Sequence, residues 1–173
     1  MLRLKNIVLR APEPRDVDFL YHLENDEKLW HVSQTLRPFS RFEMEQYVLM
    51  SEKDPFEAHQ VRFMIDLTSD ETIGTIDLFD IDSHNKRAGV GIVVVDKYRN
   101  KGYAFLALEL LKEYCFNHLN LHQLFCNIES SNTLSLTLFK KTGFTIVGLK
   151  KDWNIAPGKG VWADEYFLQL INE

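Results

Sequence analysis

The sequence predicts one α/β (α+β) domain over residues 1–173: a mixed, mostly antiparallel sheet flanked by helices, in the order βααβββαβαββ. Three features of the chain lead to it. "HQVRFMIDL", "ETIGTIDLFDI" and "RAGVGIVVVD" are β-rich runs parted by the turn-prone "TSDE" and "DSHNK", the pattern of an antiparallel meander. On either side of that meander apolar residues recur at helical spacing. Finally, 173 residues at 45% hydrophobic suffice for one full core, with no linker, repeat or low-complexity tract to divide it.

In chain order, Ile7 to Arg10 reads as a short strand. "APEPRDVDFLYHLEND" opens a helix with Pro14 in its first turn, Val17, Leu20 and Leu23 inward, and Asn25 and Asp26 at its end. A polar connection containing Pro38 follows. Ser40 to Lys53 reads as a second amphipathic helix, with Met44, Tyr47, Val48 and Ser51 on one side, Ser40 and Glu43 as a capping box, and Pro55 as a stop. After the meander, Lys101 to Asn117 is helical, and its narrow polar stripe of Glu109, Lys112, Glu113 and Asn117 means that most of its circumference faces protein. Gln123 to Ile128 is a strand. Asn132 to Lys141 is a short helix, capped by Asn132 and ended by Gly143. Phe144 to Trp153 and Val161 to Leu170 are strands joined by the turn "APGKG".

Composition narrows the function. A net charge of −5 and a pI near 5.7 disfavour a nucleic-acid partner. No window approaches 18 apolar residues and the N-terminus lacks an apolar h-region, so neither membrane insertion nor secretion is signalled. Cys115 and Cys126 lie in apolar segments without CxxC spacing, as expected of reduced, buried thiols in a cytoplasmic protein. The six histidines show no paired ligand spacing, so no metal is expected.

The stretch "VVVDKYRNKGYAFLALELL", Val93 to Leu111, carries the chemistry. A strand runs into a basic, glycine-bearing turn and then directly into a helix, which leaves backbone N–H groups unpaired and aimed at one point where the helix dipole favours an anion. Arg99, Asn100, Lys101, Gly102, Tyr103 and Ala104 make this a phosphate cradle, with Gly102 allowing close backbone approach. The spacing is neither GxxxxGK[ST] nor GxGxxG, which disfavours a nucleoside triphosphate or a dinucleotide. The other reading of the glycine is ordinary strand-to-helix connection chemistry.

"RNKGYA" has the R/Q-x-x-G-x-G/A spacing, and "NTLSLTLFKKTGF" follows about 30 residues later. With the element order, these motifs resemble the GNAT superfamily of N-acetyltransferases over nearly the whole chain. "RAGVGI" and "KKDWNI…VWADEYFLQL" make the chain similar to the branch that holds the ribosomal-protein N-terminal acetyltransferases and the spermidine N-acetyltransferases. The resemblance implies that the turn holds the pyrophosphate of acetyl-CoA through amides from Asn100 to Phe105, and that Val93, Val94 and Val95 pair by backbone with the pantetheine arm. It places Asn132 against the same arm, where its alternative role is helix N-cap. Phe139 stands at the cofactor where many relatives carry an acidic tyrosine.

Acyl transfer to an amine requires the amine to lose a proton and the departing thiolate to be accommodated. Many relatives carry a glutamate where this chain has Gly89. Its task passes to other groups: Asp77 and Asp80 match two glutamates of the spermidine enzymes, while Asp82 and His84 read as solvated turn residues. Ser135 matches the serine of N-x-x-S and could orient the sulfur or relay a proton, with cap support as its other role. Tyr98, Tyr103 and Tyr166 are alternative acids. The expected activity is direct acetyl transfer from acetyl-CoA to a primary amine: a polyamine such as spermidine, another small amine, or a peptide or protein N-terminus. Gly89 and Phe139 keep open a second reading, an acetyl-CoA-binding sensor or interaction domain with little catalysis. Acceptor walls are expected from the acidic strands and from Leu29 to Asp54, with Trp30, His31, Arg37 and Phe39. Exposed sheet edges suit a homo-oligomer.

Overall fold

The computed structural model describes residues 1–51, 53–155 and 160–172; the "APGKG" turn lies outside them except for Gly160. The elements are β1 (Leu2–Leu4), β2 (Ile7–Arg10), α1 (Val17–Glu24), α2 (Glu27–Ser33), α3 (Arg41–Met50), α4 (Pro55–Ala58), β3 (Val61–Leu67), β4 (Thr72–Asp82), β5 (Arg87–Val94), α5 (Tyr103–Glu113), β6 (Gln123–Glu129), α6 (Thr133–Lys141), β7 (Thr145–Ile155) and β8 (Trp162–Ile171). The anticipated order stands, with β1, α2 and α4 added. β1 is three residues long and gains its ladder only by folding back on β2 through Lys5, whose φ is 53°. α2 replaces part of the expected polar connection: Asp26 caps it by accepting from the Lys28 N–H, and Gln34 ends it in the left-handed region. In the same way Asp54 caps the single turn of α4, and His59 closes it at φ 54°. The expected capping box of α3 is present, with reciprocal bonds between Ser40 and Glu43.

The strands form one sheet in the order β1-β2-β3-β4-β5-β6-β8-β7. Every neighbouring pair is antiparallel except β5 and β6, which are parallel and paired only from Arg87↔Gln123 to Gly89↔Phe125. Side chains alternate between faces, so Ile76, Leu78, Ala88, Val90, Leu124, Cys126 and Leu168 share one core with Ala107, Leu108 and Leu111 of α5 and Leu136 of α6. On the opposite face α1 and α3 cover the sheet with Val17, Leu20, Met44 and Val48 against Met64. That cover stops short of β5, β6 and β8. α5 continues into one π-helical turn at Tyr114–His118, whose Cys115 is fully buried, with its thiol pushed up to about 12 by desolvation. No helix among the described residues is long and apolar enough to cross a membrane.

A buried ionic cluster joins the two halves of the α1/α3 face. Arg10 at the end of β2 donates to both Asp16 oxygens at 2.6 and 2.8 Å, and its Nε donates to Asp66 Oδ2 of β3 at 2.5 Å. All three residues are at most 7% exposed. Burial acts to raise the Asp16 pKa, but the Arg10 guanidinium and the Glu13 N–H outweigh it and hold the carboxyl below its usual range. Arg10→Met strands two carboxylates in the interior and is expected to lower the unfolding free energy by about 3–5 kcal/mol, read from urea midpoints. Because the folded pKa of Asp16 is depressed, its contribution is complete above the unfolded value of about 4 and is lost as pH falls through the folded value. The difference between wild type and Arg10→Met therefore narrows in acid.

Candidate active site

The site begins where β5 and β6 separate. Beyond Gly89 the β6-facing edge of β5 has no strand partner, so Val90 to Val94 line a wedge about 16 Å long at about 3.3 Å per residue. Its backbone is not uniformly available. The Val95 N–H donates to Ile73 O at 2.9 Å, toward β4, and the Val94 carbonyl accepts from Arg99 Nε at 2.8 Å. Of the three valines expected to line the cofactor arm, Val94 is buried, while Val93 and Val95 are half-buried.

At the open end of the wedge the basic turn runs into α5. Asn100 at φ 59° and Gly102 at φ 81° turn the chain in two left-handed steps. Gly102 is the N-cap, no side chain caps the helix, and the first intrahelical bond is Leu106 N–H to Gly102 O. The amides of Tyr103, Ala104 and Phe105 therefore begin the helix without an intrahelical acceptor, the arrangement that receives an anion. A Cβ built on Gly102 meets nothing within 4 Å, so the backbone is open on that side. The cationic side chains are partly committed: Arg99 also pairs with Asp96 at 2.8 Å, and Lys101 lies 5.1 Å from the centre of the Tyr98 ring. Lys141, absent from the expected site, places its ammonium 5.2 Å from the Phe105 ring centre and adds charge beside the same helix start. Its signal in the sequence was only the pair Lys140–Lys141 at the end of a helix. These features fit the pyrophosphate and pantetheine of acetyl-CoA, with the turn for the first and the wedge for the second.

Beside the wedge, Asn132 Oδ1 accepts from the Ser135 N–H at 3.2 Å, the capping bond of α6. Ser135 is half-buried and its Oγ has no hydrogen-bond partner among the described residues. Phe139 differs from expectation. Its ring is 4% exposed and packs edge-on against Phe144 at 5.0 Å, so it belongs to the core and offers a ligand no surface. Tyr98 is likewise buried.

The closed end of the wedge opens on the uncovered face into a cavity of about 670 Å³. Asp80, Asp82, His84 and Arg87 line it from the β4–β5 hairpin, His59 from α4, and Gln123, Phe125, Phe167 and Gln169 from β6 and β8. The structure separates the two expected carboxylates. Asp80 occupies a bulge in β4 at φ 48°, is exposed, and lines the cavity. Asp77 lies opposite Gly91 and is held by Arg62 at 2.7 and 3.1 Å. Arg62 also donates to Glu24 at 2.5 Å and lies over Tyr47, so Asp77 belongs to a network joining α1, α3 and the sheet. Burial raises the Asp77 pKa while Arg62 pulls it down. Asp82 is bound by the Asn85 N–H and side chain and pairs with Arg87 at 3.2 Å. Of the Leu29–Asp54 residues, Trp30 donates to Glu24 O and Arg37 pairs with Glu43, so both are engaged within the helical segment.

Gly89 has a tertiary reason. A Cβ added there comes within 2.2 Å of Cε2 of Phe79, the residue directly opposite on β4. Phe79 packs edge-on against Phe125 at 5.8 Å, and Phe125 lies 5.7 Å from Phe167. An aromatic row thus crosses the uncovered face and fills the volume that a side chain at 89 would need. Nothing local in "DLFDI" marks Phe79 for this role.

This arrangement, an uncapped helix start, a splayed pair of parallel strands and a cavity at their junction, is the architecture of an acyltransferase fold. The Acetyltransferase (GNAT) domain family matches residues 6–145, and the chain belongs to that family. It is an acetyl-CoA-dependent N-acetyltransferase that acts on amines. It is similar to the uncharacterized N-acetyltransferase p20 of Bacillus licheniformis, 29% identical over 98% of this chain and 95% of the relative. It is also similar to the spermidine N(1)-acetyltransferase of Escherichia coli K12, 25% identical over 83% of this chain and 75% of that protein. The crystal structure of spermidine N-acetyltransferase from Vibrio cholerae in complex with CoA and spermine superposes with a TM-score of 0.86 over 96% of this chain and 95% of that one; at 21% identity it establishes the fold.

Gly102→Val is expected to weaken acetyl-CoA binding at least about tenfold by calorimetry, through strain at φ 81° and a side chain in the open space before the amides. Unchanged affinity would remove the turn from the site. Gly89→Glu should destabilise by about 1–3 kcal/mol through overpacking, and adding Phe79→Ala should recover part of that loss in a thermal-melt comparison.

Proposed function

We propose that this enzyme acetylates a small alkyl amine, with polyamines as the favoured class. The observation that carries this is the cavity at the closed end of the wedge, lined both by Asp80, which has no ion-pair partner among the described residues, and by the rings of Phe125 and Phe167. An exposed carboxylate beside aromatic faces suits a cation on a flexible methylene chain, through charge and cation–π attraction together. The similarity to spermidine N(1)-acetyltransferase agrees with this class.

Acetyl-CoA supplies the activated acetyl group as a thioester. The remaining tasks fall to the chain: Asp80 holds the ammonium, the aromatic row excludes water from the junction, and the α5 amides anchor the phosphate end. In this reading Ser135 Oγ, which has no hydrogen-bond partner among the described residues at the start of α6, orients the departing sulfur. Val93 and the unpaired edge of β5 hold the pantetheine arm. The two buried cysteines suit a reducing compartment, the cytoplasm.

The test is thiol release from acetyl-CoA across spermidine, spermine, simple diamines, amino acids and short peptides with free N-termini. Turnover of the polyamines and diamines above the others supports the reading; preference for peptides transfers it to N-terminal acetylation. Binding of acetyl-CoA without turnover of any acceptor favours a sensor. Ser135→Ala keeps the N–H that Asn132 caps, so its expected effect is a fall in kcat of about tenfold or more, with acetyl-CoA affinity retained. An unchanged kcat would return Ser135 to helix support alone.

A further inference from the structure

We propose that His59 is the proton acceptor of this enzyme, taking a proton from the acceptor ammonium through Nε2 inside the hairpin cavity; this rests on the amine-acetylation reading above. His59 ends α4 in the left-handed region, at φ 54° and ψ 18°. Two bonds to one residue hold it there: its carbonyl accepts from the Ile81 N–H at 3.1 Å, and its Nδ1 lies 2.8 Å from the Ile81 carbonyl oxygen. A carbonyl oxygen only accepts, so Nδ1 carries the hydrogen, and the neutral ring has its lone pair on Nε2. Ile81 is 1% exposed within β4, so the anchor is the sheet itself. The imidazole is thus fixed in tautomer and position at the wall of the cavity.

The neighbouring groups leave this task open. Gly89 carries no carboxylate, because the Phe79 ring fills the space. Asp77 is held by Arg62, and Asp82 by Asn85 and Arg87. His84 sits on the exposed hairpin turn without a carbonyl anchor among the described residues. Asp80 is left to hold the ammonium charge, and His59 to take the proton. The charged or titratable groups around His59 are Asp80, Asp82, His84 and Arg87 from the hairpin, with Asp54 and Glu57 on its own element; β6 and β8 present none to the cavity. A neutral imidazole anchored through Nδ1–H presents the Nε2 lone pair to a proton, which suits it to the task that a side chain at 89 does not perform.

The ammonium gives one proton to His59 Nε2 and becomes a neutral amine. The amine nitrogen's lone pair forms the bond to the acetyl carbon as the carbon–sulfur bond breaks, with the electron pair leaving on sulfur. The second proton of the nitrogen ends on that sulfur, and His59 releases the first to solvent. Ammonium and thioester become amide, thiol and one proton.

The first test needs no turnover. In protein carrying 15N-labelled histidine, the His59 resonances should be those of the Nδ1–H tautomer; an Nε2–H tautomer overturns the proposal. The second uses the amine that the wild type acetylates best. His59→Asn tolerates the left-handed backbone and its amide can still donate to Ile81 O, but it has no basic nitrogen. It should lower kcat/KM on the order of 100-fold and change the pH dependence of kcat/KM relative to wild type. Melting temperature and acetyl-CoA affinity should be kept. His59→Gly should regain rate as imidazole is added to the buffer. A working wild type whose His59→Asn variant keeps rate and pH profile overturns the His59 assignment alone. A wild type that acetylates no amine overturns the acetyl-transfer reading, and this proposal with it.

Discussion

β5 and β6 are paired only from Arg87 to Gly89, and the open wedge beyond that point is the constraint on which the rest of the site depends. Strand edges in a sheet are normally paired or covered, because an unpaired N–H or C=O away from water is costly. Here one edge is left open between two strands whose side chains pack into a common core with α5 and α6. The gap runs from the uncapped start of α5 at one end to the hairpin cavity at the other. Its two ends differ in polarity, with unpaired amides at the helix start and carboxylates at the cavity.

Charge is distributed to match. The cationic groups Arg99, Lys101 and Lys141 gather at the wide end, and the carboxylates Asp80 and Asp82 at the closed end. Two ionic networks, Arg10–Asp16–Asp66 and Arg62–Asp77–Glu24, tie α1 to the sheet on the face that ends at the cavity. What remains uncovered is the aromatic row of Phe79, Phe125 and Phe167, which gives the junction an apolar floor.

Much of this was legible in the sequence wherever the physics is local. The basic turn is six consecutive residues, and its conformation follows from Asn100 and Gly102 adopting positive φ before a helix start. The Ser40–Glu43 box and the Asn132 cap are bonds between residues three apart. The meander announced itself by alternation broken at two turns, and Gly143 ended α6 at φ 97° as its position suggested. β1, α2 and α4 escaped because elements of three to seven residues carry too little periodicity; β1 exists through its pairing with β2, and the two helices through their caps.

By itself, then, the sequence determined the mixed sheet, the glycine-bearing turn into α5 and the family to which the chain belongs, because each is written in neighbouring residues or in the order of the elements. Only the tertiary structure decided which side chains are free to act. Phe139 went to the core; Asp77 was bound by Arg62, 15 residues away, and His59 by Ile81, 22 residues away. Phe79 took the space over Gly89 from the adjacent strand. Such roles depend on strand register and on which face of the sheet is covered, and both are set by long-range packing rather than by any local pattern of residues.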